Sequence, residues 1–170
     1  WIYTMPGAPF LYFGDELGMI QRVLPTKEGS YRRTGARAPM QWHSGKNKGF
    51  SDGDAPLYLP VDERDCAPNV ADQEKDPESM LNFVKGLIAL RKQYPELGNY
   101  SPFEVYSAEP GSRIFAYKRD TMLVAMNPGT ETLELALDGA YEAVYTIGVP
   151  VVERGRVILP EQSFVVLKRV

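Results

Sequence analysis

Cysteine and histidine are almost absent from this sequence. Its 170 residues include one cysteine, Cys66, and one histidine, His43. A single cysteine excludes an intramolecular disulfide, and the two residues are too few for a zinc site built from several such ligands. The four aspartates between residues 52 and 65 lack the spacing and the closing glutamate of a calcium loop. We therefore expect neither a resident metal nor a cofactor.

Long apolar runs and a surplus of positive charge are also missing. No apolar stretch reaches the roughly 18 residues that a membrane span requires. Nineteen lysines and arginines stand against 22 aspartates and glutamates, which gives a net charge of −3. We expect neither nucleic acid nor a membrane as a partner. With 44% hydrophobic and 24% charged residues, the composition is that of a globular protein.

The N-terminal part of the chain contains one apolar run, Phe10–Phe13, between turn signals at Gly7 and Gly14. A continuous apolar run predicts a strand that is buried on both faces, as in a parallel sheet or barrel. Because the sequence starts at Trp1 rather than at methionine, we expect it to be either a processed chain or a piece of a longer protein.

Residues 21–75 show little periodicity and predict one long loop. Loops of this length in a compact domain are usually functional. The loop has a basic half, residues 22–48, and an acidic half, residues 52–78. Mutual neutralisation of the two halves is one interpretation, and a phosphate or nucleic-acid patch on the basic half is the other.

Residues 76–94 carry the pattern of an amphipathic helix that needs a sheet to lie on. Asp76 suits the N-cap position, Pro77 suits the first helical position, and Pro95 would end the helix. Beyond it the period changes to short alternating runs separated by turn signals, which predict an antiparallel sandwich of six to eight strands. The runs are Phe103–Tyr106, Arg113–Lys118, Met122–Met126, Leu133–Leu137, Tyr141–Thr146, Arg156–Leu159 and Phe164–Lys168.

Several motifs resemble those of the α-amylase family, glycoside hydrolase family 13. The segment M-P-G-A-P-F-L-Y-F-G-D-E-L-G-M, residues 5–19, resembles the family's motif at the last barrel strand. The segment R-A-P-M-Q-W, residues 37–42, is similar to R-T-P-M-Q-W of the α-glucosidase, oligo-1,6-glucosidase and trehalose synthase branch. N-V-A-D-Q-E-K-D-P-E-S-M-L-N and L-I-A-L-R-K, residues 69–82 and 87–92, continue in the same register.

The resemblance implies an α+β fragment: the last β/α unit of a TIM barrel, followed by an all-β antiparallel sandwich. Residues 1–97 would be the end of the catalytic (β/α)8 barrel, with strand eight, its long loop and the last helix. Residues 98–170 would be the C-terminal domain, with the boundary inside residues 95–102.

The resemblance also implies that the catalytic carboxylates lie outside this chain. Retaining glycosidases use two carboxyl groups about 5–5.5 Å apart. The family carries its nucleophile, its acid/base and a third carboxylate after strands four, five and seven. Its N-H-D motif is absent here, because His43 is followed by serine. Asp15 and Glu16 are adjacent at the end of one predicted strand and would not face each other, so we predict no catalytic residue in this chain.

Two residues are predicted to contact substrate. Arg37 matches the motif arginine that helps to fix the non-reducing glucose, and a guanidinium group can donate several hydrogen bonds to sugar hydroxyls. Glu16 would be an orienting residue at the rim of strand eight. A loop-stapling role for Arg37 is the alternative. Gln41 and Trp42 are interpreted as packing and hydrogen-bonding supports of the loop.

The predicted function is therefore the C-terminal portion of a retaining α-glucoside-active enzyme. The isolated chain would be inactive. Two alternatives stay open: a trehalose synthase-type transglycosylating parent, and a non-catalytic carbohydrate-binding or scaffolding β-domain. The expected partners are an oligosaccharide substrate of the parent, and either the rest of the barrel or a second copy of the chain.

Overall fold

The computed structural model describes residues 1–22, 32–108 and 111–170. The chain forms two compact units. The first unit combines a leading segment, Trp1–Pro9, with Ala89–Val170, and the second contains Phe10–Ile88. Within the described residues, no helix combines the length and the apolar character of a membrane span.

The first unit is built on two antiparallel sheets. A five-stranded sheet has the order β1-β2-β3-β8-β5, and a three-stranded sheet has the order β4-β7-β6. The strands are β1 Phe103–Ser107, β2 Phe115–Arg119, β3 Met122–Asn127, β4 Leu133–Ala136, β5 Tyr141–Ile147, β6 Val151–Glu153, β7 Arg156–Leu159 and β8 Ser163–Arg169. The predicted sandwich is confirmed, with β6 as an additional short strand that the sequence did not reveal.

The central strands β3 and β8 are buried on both faces. Leu123 and Leu167 pack on one face with Val157 of the small sheet. Val124 and Val166 belong to a second cluster, on residues of alternate parity, together with Leu90, Leu97 and Tyr117. This double burial explains why β3 and β8 are continuous apolar runs, whereas β4 of the small sheet alternates between buried and exposed residues.

The described residues form two α-helices, α1 Val70–Gln73 and α2 Met80–Gln93. The predicted start of the long helix at Asp76 is wrong. Asp76 accepts a hydrogen bond from the Glu78 amide at 2.9 Å, and its carbonyl accepts from the Ser79 amide. The aspartate therefore closes a turn of its own, and the Ser79 hydroxyl accepts from the Asn82 amide at 3.3 Å, the bonding pattern of an N-cap.

The predicted strand Phe10–Phe13 is also corrected. These residues adopt no strand, and Phe10 is 92% exposed. A strand requires a hydrogen-bonded neighbour, and the described residues of the second unit contain no other strand. The run therefore presents apolar side chains outward instead of burying them.

The second unit consists of loops, the 3-10 helices Asp15–Leu17, Arg32–Arg37 and Lys46–Gly49, helix α1 and most of α2. The Arg22 amide donates to the Gly35 carbonyl at 3.3 Å, and the Arg22 guanidinium donates to the Val61 carbonyl at 2.8 Å. The basic half of the predicted loop is thus tied to the acidic half by the hydrogen bond from the Arg22 side chain to the main chain of Val61. The phosphate-patch interpretation rests partly on Lys27, which lies outside the described residues.

Replacing Gly35 with alanine should destabilise the second unit. A β-carbon at this position would stand 1.4 Å from the Arg22 carbonyl oxygen, and a backbone atom cannot move aside cheaply. We expect Gly35→Ala to lower the free energy of unfolding by about 1–3 kcal/mol, the usual cost of over-packing. The matched control is Gly86→Ala in α2, where the added carbon meets nothing within 4 Å and should stabilise by up to about 1 kcal/mol. Urea titration of both variants measures the difference, and equal midpoints would contradict it.

Candidate functional site

Arg37 is the last residue of the 3-10 helix Arg32–Arg37, and its side chain is exposed. It lines a cavity of about 400 Å³ together with aromatic and aliphatic side chains, among them Phe13, Phe50 and Tyr58. Among the described residues of that lining, Arg37 is the one that carries a charge. The cavity therefore offers aromatic rings that can stack on a sugar and a guanidinium that can bind hydroxyl or carboxylate oxygens.

The chain that follows Arg37 is fixed by buried hydrogen bonds. Gln41 is buried and donates from Nε2 to the Pro68 carbonyl at 2.5 Å. The carbonyls of Gln41 and Trp42 accept from the amides of Val70 and Ala71, each at 3.0 Å. These are the first two residues of α1, whose free amides need acceptors. The wall of the cavity is thereby attached to a helix, in line with the supporting role interpreted for Gln41.

Trp42 is half exposed and begins a short loop that ends at Lys48. Its amide donates to the Lys48 carbonyl at 2.8 Å. Within that loop His43 accepts a hydrogen bond at Nδ1 from the Gly45 amide at 3.0 Å. His43 is exposed and acts here as a loop-bonding residue.

Glu16 lies half-buried in the short 3-10 helix Asp15–Leu17. Its Oε2 accepts from the Gly14 amide at 2.8 Å, and Asp15 Oδ2 accepts from the Tyr12 amide at 3.0 Å. Each carboxylate therefore bonds the backbone of its own turn, and the two do not form a facing pair for glycosidic chemistry.

The two predicted substrate-binding residues line different cavities. Glu16 lines one of about 350 Å³ with Leu81, Val84 and other residues of α2, whereas Arg37 lines the aromatic cavity described above. Phe13 contributes to both. Neither the Glu16 carboxylate nor Asp15 contributes to the lining of the Arg37 cavity.

Gln73 is a positioning residue that the sequence reasoning missed. Its Nε2 donates to the Leu17 carbonyl at 2.9 Å, and its Oε1 accepts from the Leu81 amide at 2.9 Å. Its own carbonyl accepts from the Ser79 hydroxyl at 2.7 Å. One side chain thus links the turn that carries Glu16 to the start of α2. The signal was its place in the D-Q-E-K-D-P-E segment, but a bridging amide has no periodicity that would reveal it.

An ion pair shapes the acidic half of the loop. Arg64 donates from Nε to both carboxylate oxygens of Asp62, at 2.9 and 3.1 Å, and from Nη2 to Oδ2 at 2.7 Å. Asp62 is buried, and hydrogen bonding from Arg64 lowers the pKa of its carboxyl group. Within the part of the chain that the structure describes, no three His, Cys, Asp or Glu side chains are grouped to hold a metal ion.

This pair should make stability depend on pH in the acid range. Because the folded-state pKa of Asp62 is lowered, its contribution is fully present above the ordinary aspartate pKa of about 3.9 and is lost as the pH falls through the lower folded value. Since Arg64 is half exposed, we expect no more than about 1 kcal/mol. Urea titrations between about pH 2 and pH 5 should show a shallower pH dependence for Asp62→Asn than for the native chain. Parallel curves would show that the ion pair contributes nothing.

The sequence of this chain is similar to those of several known proteins. Residues 1–99 match the model of the protein family described as "Alpha amylase, catalytic domain". The probable oligo-1,6-glucosidase 2 of Bacillus subtilis is 34% identical over 149 residues, covering 70% of this chain and 26% of that protein. The trehalose synthase/amylase TreS of Mycobacterium tuberculosis is 32% identical over 171 residues, covering 94% of this chain and 27% of that protein.

A solved structure of a trehalulose synthase MutB mutant has the same fold. It superposes with a TM-score of 0.75 at 23% identity, over 98% of this chain and 36% of that chain. The chain spans about a quarter of the length of the two curated relatives. Because the catalytic-domain match covers 99 of the 170 residues and the fold agrees over nearly the whole chain, the chain belongs to the α-amylase family, glycoside hydrolase family 13.

Proposed function

We propose that the chain is the C-terminal part of a retaining enzyme that hydrolyses α-glucosidic bonds of oligosaccharides. In this proposal residues 1–97 complete the catalytic barrel and residues 98–170 are the C-terminal domain. The observation that carries it is Arg37, whose charged side chain lines an aromatic and aliphatic cavity. The relatives support the substrate class, since one is named an oligo-1,6-glucosidase.

The roles of the chain's own residues follow from their chemistry. A terminal glucose in the cavity would stack on an aromatic ring such as Tyr58 and accept hydrogen bonds from the Arg37 guanidinium. The nucleophilic carboxylate and the acid/base carboxyl come from the rest of the barrel, about 5–5.5 Å apart as double displacement requires. Glu16 holds the rim turn through the Gly14 amide and contributes no proton transfer.

The exposed apolar run Phe10–Phe13 supports the proposal that the rest of the barrel is a partner of this chain. Leu11, Tyr12 and Phe13 are each more than two-fifths exposed, and Phe10 almost wholly so. Contiguous apolar side chains of this kind mark a contact surface. We propose that the rest of the barrel covers the run in the whole enzyme. In its absence a second copy of the chain would cover it.

A trehalose synthase-type parent is the second candidate. A relative named trehalose synthase/amylase matches 94% of this chain. The two candidates share the covalent glucosyl step and differ in what accepts the glucosyl group, which is water in hydrolysis and a sugar hydroxyl in isomerisation.

A purely carbohydrate-binding role for the β-domain is less well supported. Binding platforms need several exposed aromatic faces, whereas Tyr117 and Phe164 are buried in the core and the exposed rings of the described domain are those of Tyr100 and Phe103. Incubating the whole gene product with maltose and separating the products tests all three candidates. Glucose as the main product supports hydrolysis, trehalose supports the isomerising parent, and unchanged maltose with retained binding supports the non-catalytic role.

A further inference from the structure

Two arginines of the first unit hold the backbone of the leading segment. The first is Arg91 at the end of α2, which is half-buried. Its guanidinium donates to the main-chain carbonyls of Tyr3 at 2.7 Å, Met5 at 2.9 Å and Gly7 at 2.7 Å. It also donates to Oδ1 of the Asn99 side chain at 2.7 Å. Every one of these acceptors is neutral, and three of the four belong to the leading segment.

The second is Arg119 on β2, which is completely buried. Its Nη1 donates to the Thr4 carbonyl at 2.5 Å, and its Nη2 donates to the Gly98 carbonyl. The neighbouring Tyr117 shares a hydrogen bond of 2.6 Å between its hydroxyl and that of Thr4. Together the two arginines bind the carbonyls of four of the five residues from Tyr3 to Gly7.

Burying the positive charge of Arg119 costs free energy of folding. Burial lowers the pKa of Arg119, and the nearby positive charge of Arg91 lowers it further. Among the described residues no carboxylate forms an ion pair with Arg119. A buried charge without a counter-ion contributes less to stability than a well-packed apolar side chain of similar size. Its rigid fork of N–H donors, by contrast, fixes the direction of each carbonyl that it binds.

We propose that Arg91 and Arg119 are positioning residues for the substrate site of the whole enzyme. They fix the backbone of residues 3–7, and the chain runs from there directly into the turn that carries Glu16. Through hydrogen bonds from their side chains to main-chain carbonyls, Arg91 of α2 and Arg119 of β2 thereby set the direction in which the chain leaves residue 7 toward that turn. This inference rests on the proposed glucoside-active function.

The first part of the test needs no activity. In the 170-residue chain, chymotrypsin should cut the Tyr3–Thr4 bond slowly, since both residues are buried. Arg119→Met and Arg91→Lys should each speed that cut at least tenfold, measured by mass spectrometry at a temperature where the chain stays folded. Arg156→Met is the matched control, because Arg156 is half exposed and bonds only Glu134 and Glu153 among the described residues. An unchanged cutting rate in both variants would show that Arg91 and Arg119 do not hold the leading segment, and would overturn the proposal.

The second part uses the whole enzyme and an aryl α-glucoside. We expect kcat/KM of the folded fraction to fall at least tenfold in Arg119→Met, with partial recovery in Arg119→Lys and no change in Arg156→Met. If Arg119→Met does not fold, Arg91→Lys provides the same comparison. Faster cutting with native kinetics overturns the positioning role and leaves the proposed function intact. A native enzyme without activity on any α-glucoside overturns both, and the unmutated protein alone reveals that failure.

Discussion

Arg37→Ala in the whole enzyme should lower kcat/KM for an α-glucoside by one to three orders of magnitude. The charged side chain of Arg37 lines the cavity, and charge-assisted hydrogen bonds are worth about 1.5–3 kcal/mol each. About 1.4 kcal/mol corresponds to a tenfold change in rate. Arg37→Lys should recover little, because an ammonium group lacks the planar fork.

The alternative, a loop-stapling arginine, makes the opposite prediction. It requires a lower melting temperature and near-normal kinetics in the folded fraction. The matched control is Lys46→Ala in the same loop, where an exposed lysine pairs with Asp54 at 2.5 Å; surface pairs of this kind contribute little. Measuring kcat/KM and the melting temperature on both variants separates the two roles. Native kinetics in Arg37→Ala would remove Arg37 from the substrate site.

The 170-residue chain by itself should not hydrolyse an α-glucoside. Its adjacent carboxylates, Asp15 and Glu16, bond the backbone of their own turn and do not face each other. Without a facing carboxyl pair neither the glycosyl-enzyme nor the protonated leaving group can form. Release of 4-nitrophenol from its α-glucoside should therefore match the buffer rate. Turnover above buffer that is lost in Glu16→Gln would place the chemistry in this chain and contradict the proposal.

The β-domain could be predicted closely from the sequence because its pattern is local. Half-buried strands alternate, as in Tyr141–Ile147, and turn residues punctuate them. Strand Val151–Glu153 was missed because three residues are too few to establish a period. The long helix was predicted, but its first turn was not, since Asp76 bonds within a preceding turn that imitates an N-cap.

The errors in the second unit have a non-local cause. The apolar character of Phe10–Phe13 is real, but strand formation depends on a neighbouring strand that a single segment cannot specify. The cavity around Arg37 is assembled from residues spread between Phe13 and Leu59. The motif at residues 37–42 therefore pointed to Arg37 as a candidate site residue, but it could not predict the aromatic side chains that line the cavity with it.

The polar side chains that organise the fold were the least predictable. Gln73 and Arg119 act on backbone groups 56 and 115 residues away. Such contacts have no counterpart in hydrophobic periodicity, and a single glutamine or arginine in a sequence usually belongs on the surface.

The central claim is that this chain completes an enzyme that acts on α-glucosides with retention. Proton NMR of the whole enzyme during the first minutes of hydrolysis of an α-glucoside tests it most directly. The anomeric proton of newly released glucose should be in the α configuration, with the β form growing only by later mutarotation, because double displacement preserves the configuration. Glucose released first as the β anomer, or no release from any α-glucoside, would contradict the account.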